Sequence, residues 1–86
     1  MEYIATFFSH YDAMLFKKTL EESRFRVELR PVPRFLSSSC GTCAVVFSDD
    51  SRNDEPVEEI KNMKECLIEM LVRNMDGEYT VLIDNR

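Results

Sequence analysis

The chain has 86 residues, of which 44% are hydrophobic and 31% are charged, and its net charge at pH 7 is -5. A chain of this length can bury one modest core, so we expect a single domain over residues 1–86. The acidic balance argues against a nucleic-acid partner, because phosphate-backbone binding depends on clustered lysines and arginines. No apolar segment has the length of a membrane span or the pattern of a signal sequence, so we expect a cytoplasmic protein with no membrane partner.

The first elements are predicted to be a strand and a helix. Residues 3–8 are aromatic and β-branched, which is typical of a central strand buried on both faces. Ser9 has the side chain of an N-cap, and Asp12 stands at the third helical position. Apolar residues then recur at helical spacing, which predicts a first helix that extends to about Glu22.

A second strand is predicted by alternation over residues 26–32. Val27 and Leu29 would face the core, while the charged residues between them face water. Pro31 cannot donate a ladder hydrogen bond in the middle of a sheet. We therefore expect this strand at an edge of the sheet, followed by an extended segment that keeps helical structure away from the next loop.

The second half of the chain predicts a third strand over residues 44–47, an acidic loop over 48–55 and a second helix that begins near Pro56. This helix is expected to be amphipathic, because its apolar residues recur at three- and four-residue spacing, while its charged residues, Glu69 among them, fall mostly on the opposite side. The apolar residues are Val57, Ile60, Met63, Leu67, Met70 and Leu71. Asn74 or Gly77 would provide the left-handed residue that ends it.

A last strand is predicted over residues 78–83, with Tyr79, Val81 and Ile83 on one face. The element order is therefore β-α-β-β-α-β. This order is the signature of a ferredoxin-like α+β sandwich, in which two helices cover one face of a four-stranded antiparallel sheet. In that topology the start of the first helix and the connection between the second and third strands lie at the same end of the sheet.

That connection contains two thiols at C-x-x-C spacing. Small residues surround Cys40, and Gly41 lets the backbone turn so that its amides can face a thiolate. Three cysteines, an odd number, argue against a secreted disulfide framework. We therefore expect thiols that are kept reduced, with Cys40 as an accessible thiolate. Cys43 adjoins an apolar run, so it is interpreted either as the buried start of a strand or as a second, resolving thiol.

Several residues are expected to meet Cys40 at this end of the sheet. The amino end of the first helix, at Ser9, carries partial positive charge, and Arg30 and Arg34 flank the loop in sequence, so all of these would stabilise a thiolate. Ser39 would contribute turn hydrogen bonds. His10 is interpreted either as a solvated residue of the first helical turn or as an acid–base group.

No cofactor or metal is expected. A zinc site needs about four ligands, and beyond the two loop cysteines the chain offers His10 and the distant Cys66. Cys66 would lie on the second helix as a half-buried structural residue.

Two segments resemble a known family. Residues 30–41, Arg-Pro-Val-Pro-Arg-Phe-Leu-Ser-Ser-Ser-Cys-Gly, and the opening residues 3–14 are similar to the selenium/sulfur carrier-like domain, a small bacterial family. The resemblance implies an accessory protein rather than an enzyme, in which Cys40 carries sulfur or selenium between partner enzymes such as a cysteine desulfurase. Cys43 departs from the family's pattern, which has an apolar residue there, and Arg24 stands where a helix-ending glycine is usual.

Two other hypotheses stay open. Domains of this fold also act as binding or regulatory modules, in which case the thiol would have no special reactivity. A dithiol redox protein would instead form a reversible disulfide between Cys40 and Cys43. Under any of these hypotheses, including the carrier, the exposed edge of the second strand could pair with a copy of itself to give a homodimer.

Overall fold

A computed structural model describes residues 1–36, 38–48, 55–63 and 66–86. Within these residues the chain forms five strands and two helices. The elements are β1 Glu2–Phe7, α1 His10–Glu22, β2 Arg26–Pro31, β3 Thr42–Phe47, α2 Glu55–Asn62, β4 Ile68–Met75 and β5 Glu78–Asp84. Most of the acidic loop predicted before the second helix lies outside the described residues.

All five strands form one sheet in the order β2-β3-β1-β4-β5, and every neighbouring pair is antiparallel. The predicted central place of β1 and the predicted edge place of β2 are confirmed. The prediction of four strands is wrong, because residues 68–75, which were predicted as helix, form an additional strand, β4. The class is therefore α+β with an antiparallel sheet and two helices.

The second helix is much shorter than predicted. α2 ends at Asn62, and residues 68–75, which were assigned to the same helix, form β4. Met70 and Leu71 were expected on one helical face, whereas they point to opposite faces of the sheet and both are buried. A strand that is buried on both faces gives a continuous apolar run, and such a run fits helical spacing as well as strand spacing.

The residues that were predicted to end this helix form a hairpin turn instead. The Asn74 side chain accepts a hydrogen bond from the Gly77 amide at 3.0 Å. Asp76 and Gly77 both have positive φ angles, 54° and 87°. Asp-Gly with two positive φ angles is the favoured loop of a two-residue β-hairpin, so this turn joins β4 directly to β5.

α1 agrees with the prediction at both ends. The Ser9 hydroxyl accepts the Asp12 amide at 3.3 Å, which confirms Ser9 as the N-cap. The helix ends at Glu22, and Arg24 adopts the left-handed conformation with φ 71°. Because that conformation is unfavourable for any residue with a β-carbon, Arg24 fills at some cost a position that suits glycine.

The larger core cluster lies between the helices and one face of the sheet. α1 contributes Ala13, Phe16 and Leu20, and α2 contributes Val57 and Ile60. Both helices therefore cover the same face, which we call the helix face. Strand residues on this face alternate with others that point away from the helices.

The opposite face of the sheet, which we call the second face, is covered by the chain that follows β2. Ile4, Cys43 and Val45 form a small buried cluster there, with Val32 and Leu36 packed against it. The Phe35 ring then contacts the ring of Tyr79 on β5, with the ring centroids 4.4 Å apart. The segment over residues 32–36 thus crosses the second face from one edge strand to the other.

The last strand differs from prediction in one side chain. Tyr79 and Val81 lie on the second face, as their register with β4 shows. Ile83 was expected beside them, but the β4–β5 register shifts between Leu71 and Val72, and Ile83 packs against the helix-face core. An added residue in a strand reverses the facing of everything beyond it.

Candidate functional site

The loop that carries Cys40 is anchored at both ends. The Val32 amide donates to the Gly41 carbonyl at 3.1 Å, which extends the β2–β3 pairing into the loop. The Ser38 hydroxyl donates to the Phe7 carbonyl at 3.1 Å, at the last residue of β1. Gly41 has a φ of 76°, and a β-carbon there would have no heavy atom within 4 Å. The backbone conformation favours glycine, and the space beside it is open.

Cys40 is partly exposed, whereas the other two cysteines are buried, and all three are free thiols. Its Sγ donates to the Thr42 carbonyl at 3.3 Å and lies 3.9 Å from the Ser38 hydroxyl. Its amide donates to that same hydroxyl at 3.4 Å. Ser38 therefore links the thiol to the end of β1, while the inner side of Cys40 packs on the helix-face core.

Ser9 and His10, the two residues predicted at the start of α1, follow Phe7 by two and three residues. Phe7 is the residue whose carbonyl accepts the hydrogen bond from Ser38 of the loop. The Ser9 hydroxyl donates to the Asp12 carboxylate at 2.8 Å while it accepts the Asp12 amide, so both of its functions are used within the helix. His10 is exposed. Among the described residues, no hydrogen bond or ion pair joins His10 to Cys40.

The arginines are placed differently from one another. Arg30, which precedes the loop, pairs with Glu28 at 2.6 Å and lies over the Phe47 ring on the second face. Arg34 is exposed on the loop. Arg30 is paired with Cys43 across β2 and β3, so its charge lies beside the Cys43 thiol.

Cys43 lies on the second face, opposite Thr6 of β1, and its side chain is fully buried. Its Sγ is 3.7 Å from the Pro31 carbonyl, to which it donates. Burial raises the pKa of the Cys43 thiol, and attraction to Arg30 offsets only part of that rise. The two thiols of the C-x-x-C sequence thus pack on different clusters, Cys40 on the helix face and Cys43 on the second face.

The prediction that Cys66 lies on the second helix is wrong. Cys66 lies instead between α2 and β4, where it is buried and donates from Sγ to the Asp12 carbonyl at 3.1 Å. Burial, with a smaller contribution from the Asp12 charge, raises the pKa of this thiol to about 12. Cys66 is therefore a protonated structural residue.

One residue of the site was missed by the sequence analysis. Glu69 is 4% exposed, and its carboxylate accepts hydrogen bonds from the Ser39 hydroxyl at 2.7 Å and the Ser39 amide at 3.4 Å. Ser39 was predicted to contribute hydrogen bonds within the turn, and the structure shows that it donates to Glu69 of β4. Glu69 was predicted on the solvent side of the second helix, but it lies in β4. No periodic pattern in the sequence marks position 69 as a buried residue of that strand.

The described residues place no three His, Cys, Asp or Glu side chains close enough to hold a metal ion. Of the helices described, none is both long enough and apolar enough to cross a bilayer. The loop itself presents a free, partly exposed thiol in a hydrogen-bonded turn.

Comparison with known proteins agrees with the resemblance noted in the two segments. A family model described as "Putative Se/S carrier protein-like" matches residues 2–71, from β1 into β4 and including the whole Cys40 loop. A search of curated proteins and a search of solved structures each give no match. Because the family match covers well over half of the chain, the protein belongs to the Se/S carrier protein-like family.

Proposed function

We propose that this protein is a non-enzymatic carrier that holds sulfur or selenium on Cys40 and passes it between a donor enzyme and an acceptor enzyme. The observation that carries the proposal is the contrast among the three thiols. Cys40 is partly exposed on an anchored loop, whereas Cys43 and Cys66 are buried with raised pKa values. Membership of the carrier-like family supports the same assignment.

The transfer is an exchange between two sulfur atoms. The Cys40 thiol loses its proton to water, and the thiolate attacks the terminal sulfur of a donor persulfide. A new sulfur–sulfur bond forms on Cys40 while the donor's bond breaks, and the donor cysteine leaves as a thiolate that takes up a proton. No net oxidation occurs, so neither a cofactor nor an external oxidant is needed. A donor selenenylsulfide transfers selenium by the same exchange.

Exposed apolar side chains near the loop support contact with partner enzymes. Phe8 follows the β1 residue that binds Ser38, and Tyr11 lies in the first turn of α1. Leu67 reaches that turn through its amide, which donates to the Asp12 carboxylate at 3.4 Å. All three side chains are exposed, and exposed large apolar groups at one end of a small protein favour an interface. Pairing of two copies along the edge strand β2 stays a prediction.

The packing gives Cys43 no part in this proposal, because its thiol is buried on the second face. A reversible disulfide between Cys40 and Cys43 would require one of them to leave its cluster. The strand order β2-β3-β1-β4 and the two helices on one face support a ferredoxin-like origin for the first four strands, with β5 as an added hairpin strand.

The experiment is sulfur loading followed by intact mass spectrometry without reductant. The protein is incubated with a cysteine desulfurase and free cysteine, and a parallel sample receives selenocysteine. We expect a mass gain of one sulfur or one selenium atom in the wild type and in Cys43→Ser, and no gain in Cys40→Ser. Equal loading of Cys40→Ser, or no loading of the wild type, would refute the proposal.

A further inference from the structure

The start of β4 is irregular in its pairing with β1. In the pairing of β1 with β4, Thr6 faces Met70 and Phe7 faces Ile68, so Glu69 is an extra residue without a partner across the strands. Such a bulge turns a side chain away from its regular direction and is often found beside functional sites. Here it directs the Glu69 side chain to the loop that carries Cys40.

The bulge is held in place by the chain end that follows β5. Asn85 donates from its amide to the Glu69 carbonyl at 2.9 Å and from its side chain to the Ile68 carbonyl at 2.9 Å. The backbone of the extra residue is therefore fixed on the side away from β1. A fixed backbone limits the positions that the Glu69 carboxylate can reach.

The side-chain contacts of Glu69 are made with the residue that immediately precedes Cys40. The Ser39 hydroxyl and amide both donate to the carboxylate, at 2.7 and 3.4 Å. A carboxylate this well buried needs hydrogen bonds to compensate for lost water, and bonds to a charged acceptor are the strong ones. Ser39 itself is exposed, so the buried partner is the one that determines where the loop lies.

We propose that Glu69 is a positioning residue for Cys40: its carboxylate clamps Ser39 and so holds the thiol in the orientation from which it exchanges sulfur. This inference rests on the proposed carrier function, but it makes a separate claim about the loop. With the clamp intact, Cys40 stays partly covered and bonded to the Thr42 carbonyl. With the clamp removed, the loop opens, and a small reagent reaches the thiol more easily while an enzyme meets it in the wrong orientation.

The test compares Glu69→Gln, Ser39→Ala and the double variant with the wild type. Glu78→Gln serves as the matched control, since Glu78 is an exposed glutamate on β5 and its loss changes the net charge equally. Iodoacetamide labelling of each cysteine is followed by peptide mass spectrometry. Sulfur loading by a cysteine desulfurase with free cysteine is timed in the same variants.

We expect Cys40 labelling to rise about tenfold in Glu69→Gln, as fits the loss of a hydrogen bond to a charged group, and to rise no further in the double variant. Sulfur loading should fall about tenfold by the same change in loop population. Labelling of Cys66 should stay as in the wild type, because a variant that merely weakened the whole fold would expose Cys66 in parallel with Cys40.

Parallel rises at both cysteines, or additive effects of the two single variants, would overturn the positioning role. If the wild type takes up no sulfur but the labelling results hold, the carrier function fails while the clamp stands. If Glu69→Gln loads and labels like Glu78→Gln, the clamp fails while the carrier function stands.

Discussion

The three cysteines should differ in reactivity by orders of magnitude in the native protein. Cys66 is 6% exposed, and its pKa is raised from 9.0 to about 12. Each pKa unit reduces the thiolate population tenfold at any pH well below both values, so the Cys66 thiolate should be about a thousandfold rarer than that of an unfolded cysteine. Cys43 is fully buried, and its pKa is also raised. Because the thiolate is the species that reacts, both buried residues should label only when the structure opens.

The assay is time-resolved alkylation with iodoacetamide near neutral pH, with each cysteine-containing peptide quantified by mass spectrometry. Cys40 should be labelled first, and Cys43 and Cys66 at least about a hundredfold more slowly. In strong urea the three rates should converge, which controls for local sequence effects. Labelling of Cys66 or Cys43 at the rate of Cys40 in native buffer would refute the packing and pKa reasoning.

Three further changes test the fold around the site. Thr6→Val should raise the free energy of unfolding by about 1 kcal/mol, because the buried Thr6 hydroxyl has no hydrogen-bond partner among the described residues. The exposed control Thr80→Val should change the free energy of unfolding little. Urea denaturation measures both variants, and a loss of stability in Thr6→Val would contradict the absence of a hydrogen-bond partner for Thr6. Arg24→Gly should add up to about 1 kcal/mol by relieving a φ of 71°, and an unchanged urea midpoint would count against strain at that turn. The raised pKa of Cys66 means that the folded state keeps a proton that the unfolded state loses, so its contribution to stability is present below pH 9.0 and is lost as the pH rises toward about 12. Cys66→Ser keeps a donor for the Asp12 carbonyl but does not titrate, so its stability should fall less steeply over that range, by up to about 1.4 kcal/mol per pH unit.

The first half of the fold could be predicted from local patterns. β1 is a short β-branched and aromatic run, Ser9 is an N-cap with a usable acceptor, and β2 alternates in the simple way of an edge strand. Each of these signals depends on neighbours in the chain, so sequence spacing alone identifies it. The thiol loop was located in the same way, between β2 and β3.

The second half could not be predicted in that way, because β4 is buried on both faces. Its apolar residues fit both the helical and the strand periodicity. Because α2 immediately precedes them, the helical periodicity was extended through residues that form a strand. The Asp76-Gly77 pair was the available sequence signal for a hairpin. Because Asp-Gly is a favoured two-residue hairpin loop, it predicts a strand on each side and argues against a helix that runs up to it. Glu69 was misplaced as a consequence. Its contact with Ser39 joins residues 30 positions apart through a bulge, and no local pattern encodes such a contact.

The central claim is that sulfur is carried by Cys40 and by neither of the other thiols. The most direct measurement is peptide mapping by tandem mass spectrometry of wild-type protein loaded by a cysteine desulfurase and free cysteine, with the sulfane sulfur assigned to a residue. We expect the added sulfur on the peptide that contains Cys40, with Cys43 and Cys66 unmodified. Sulfur located on Cys43 or Cys66 instead would contradict the account.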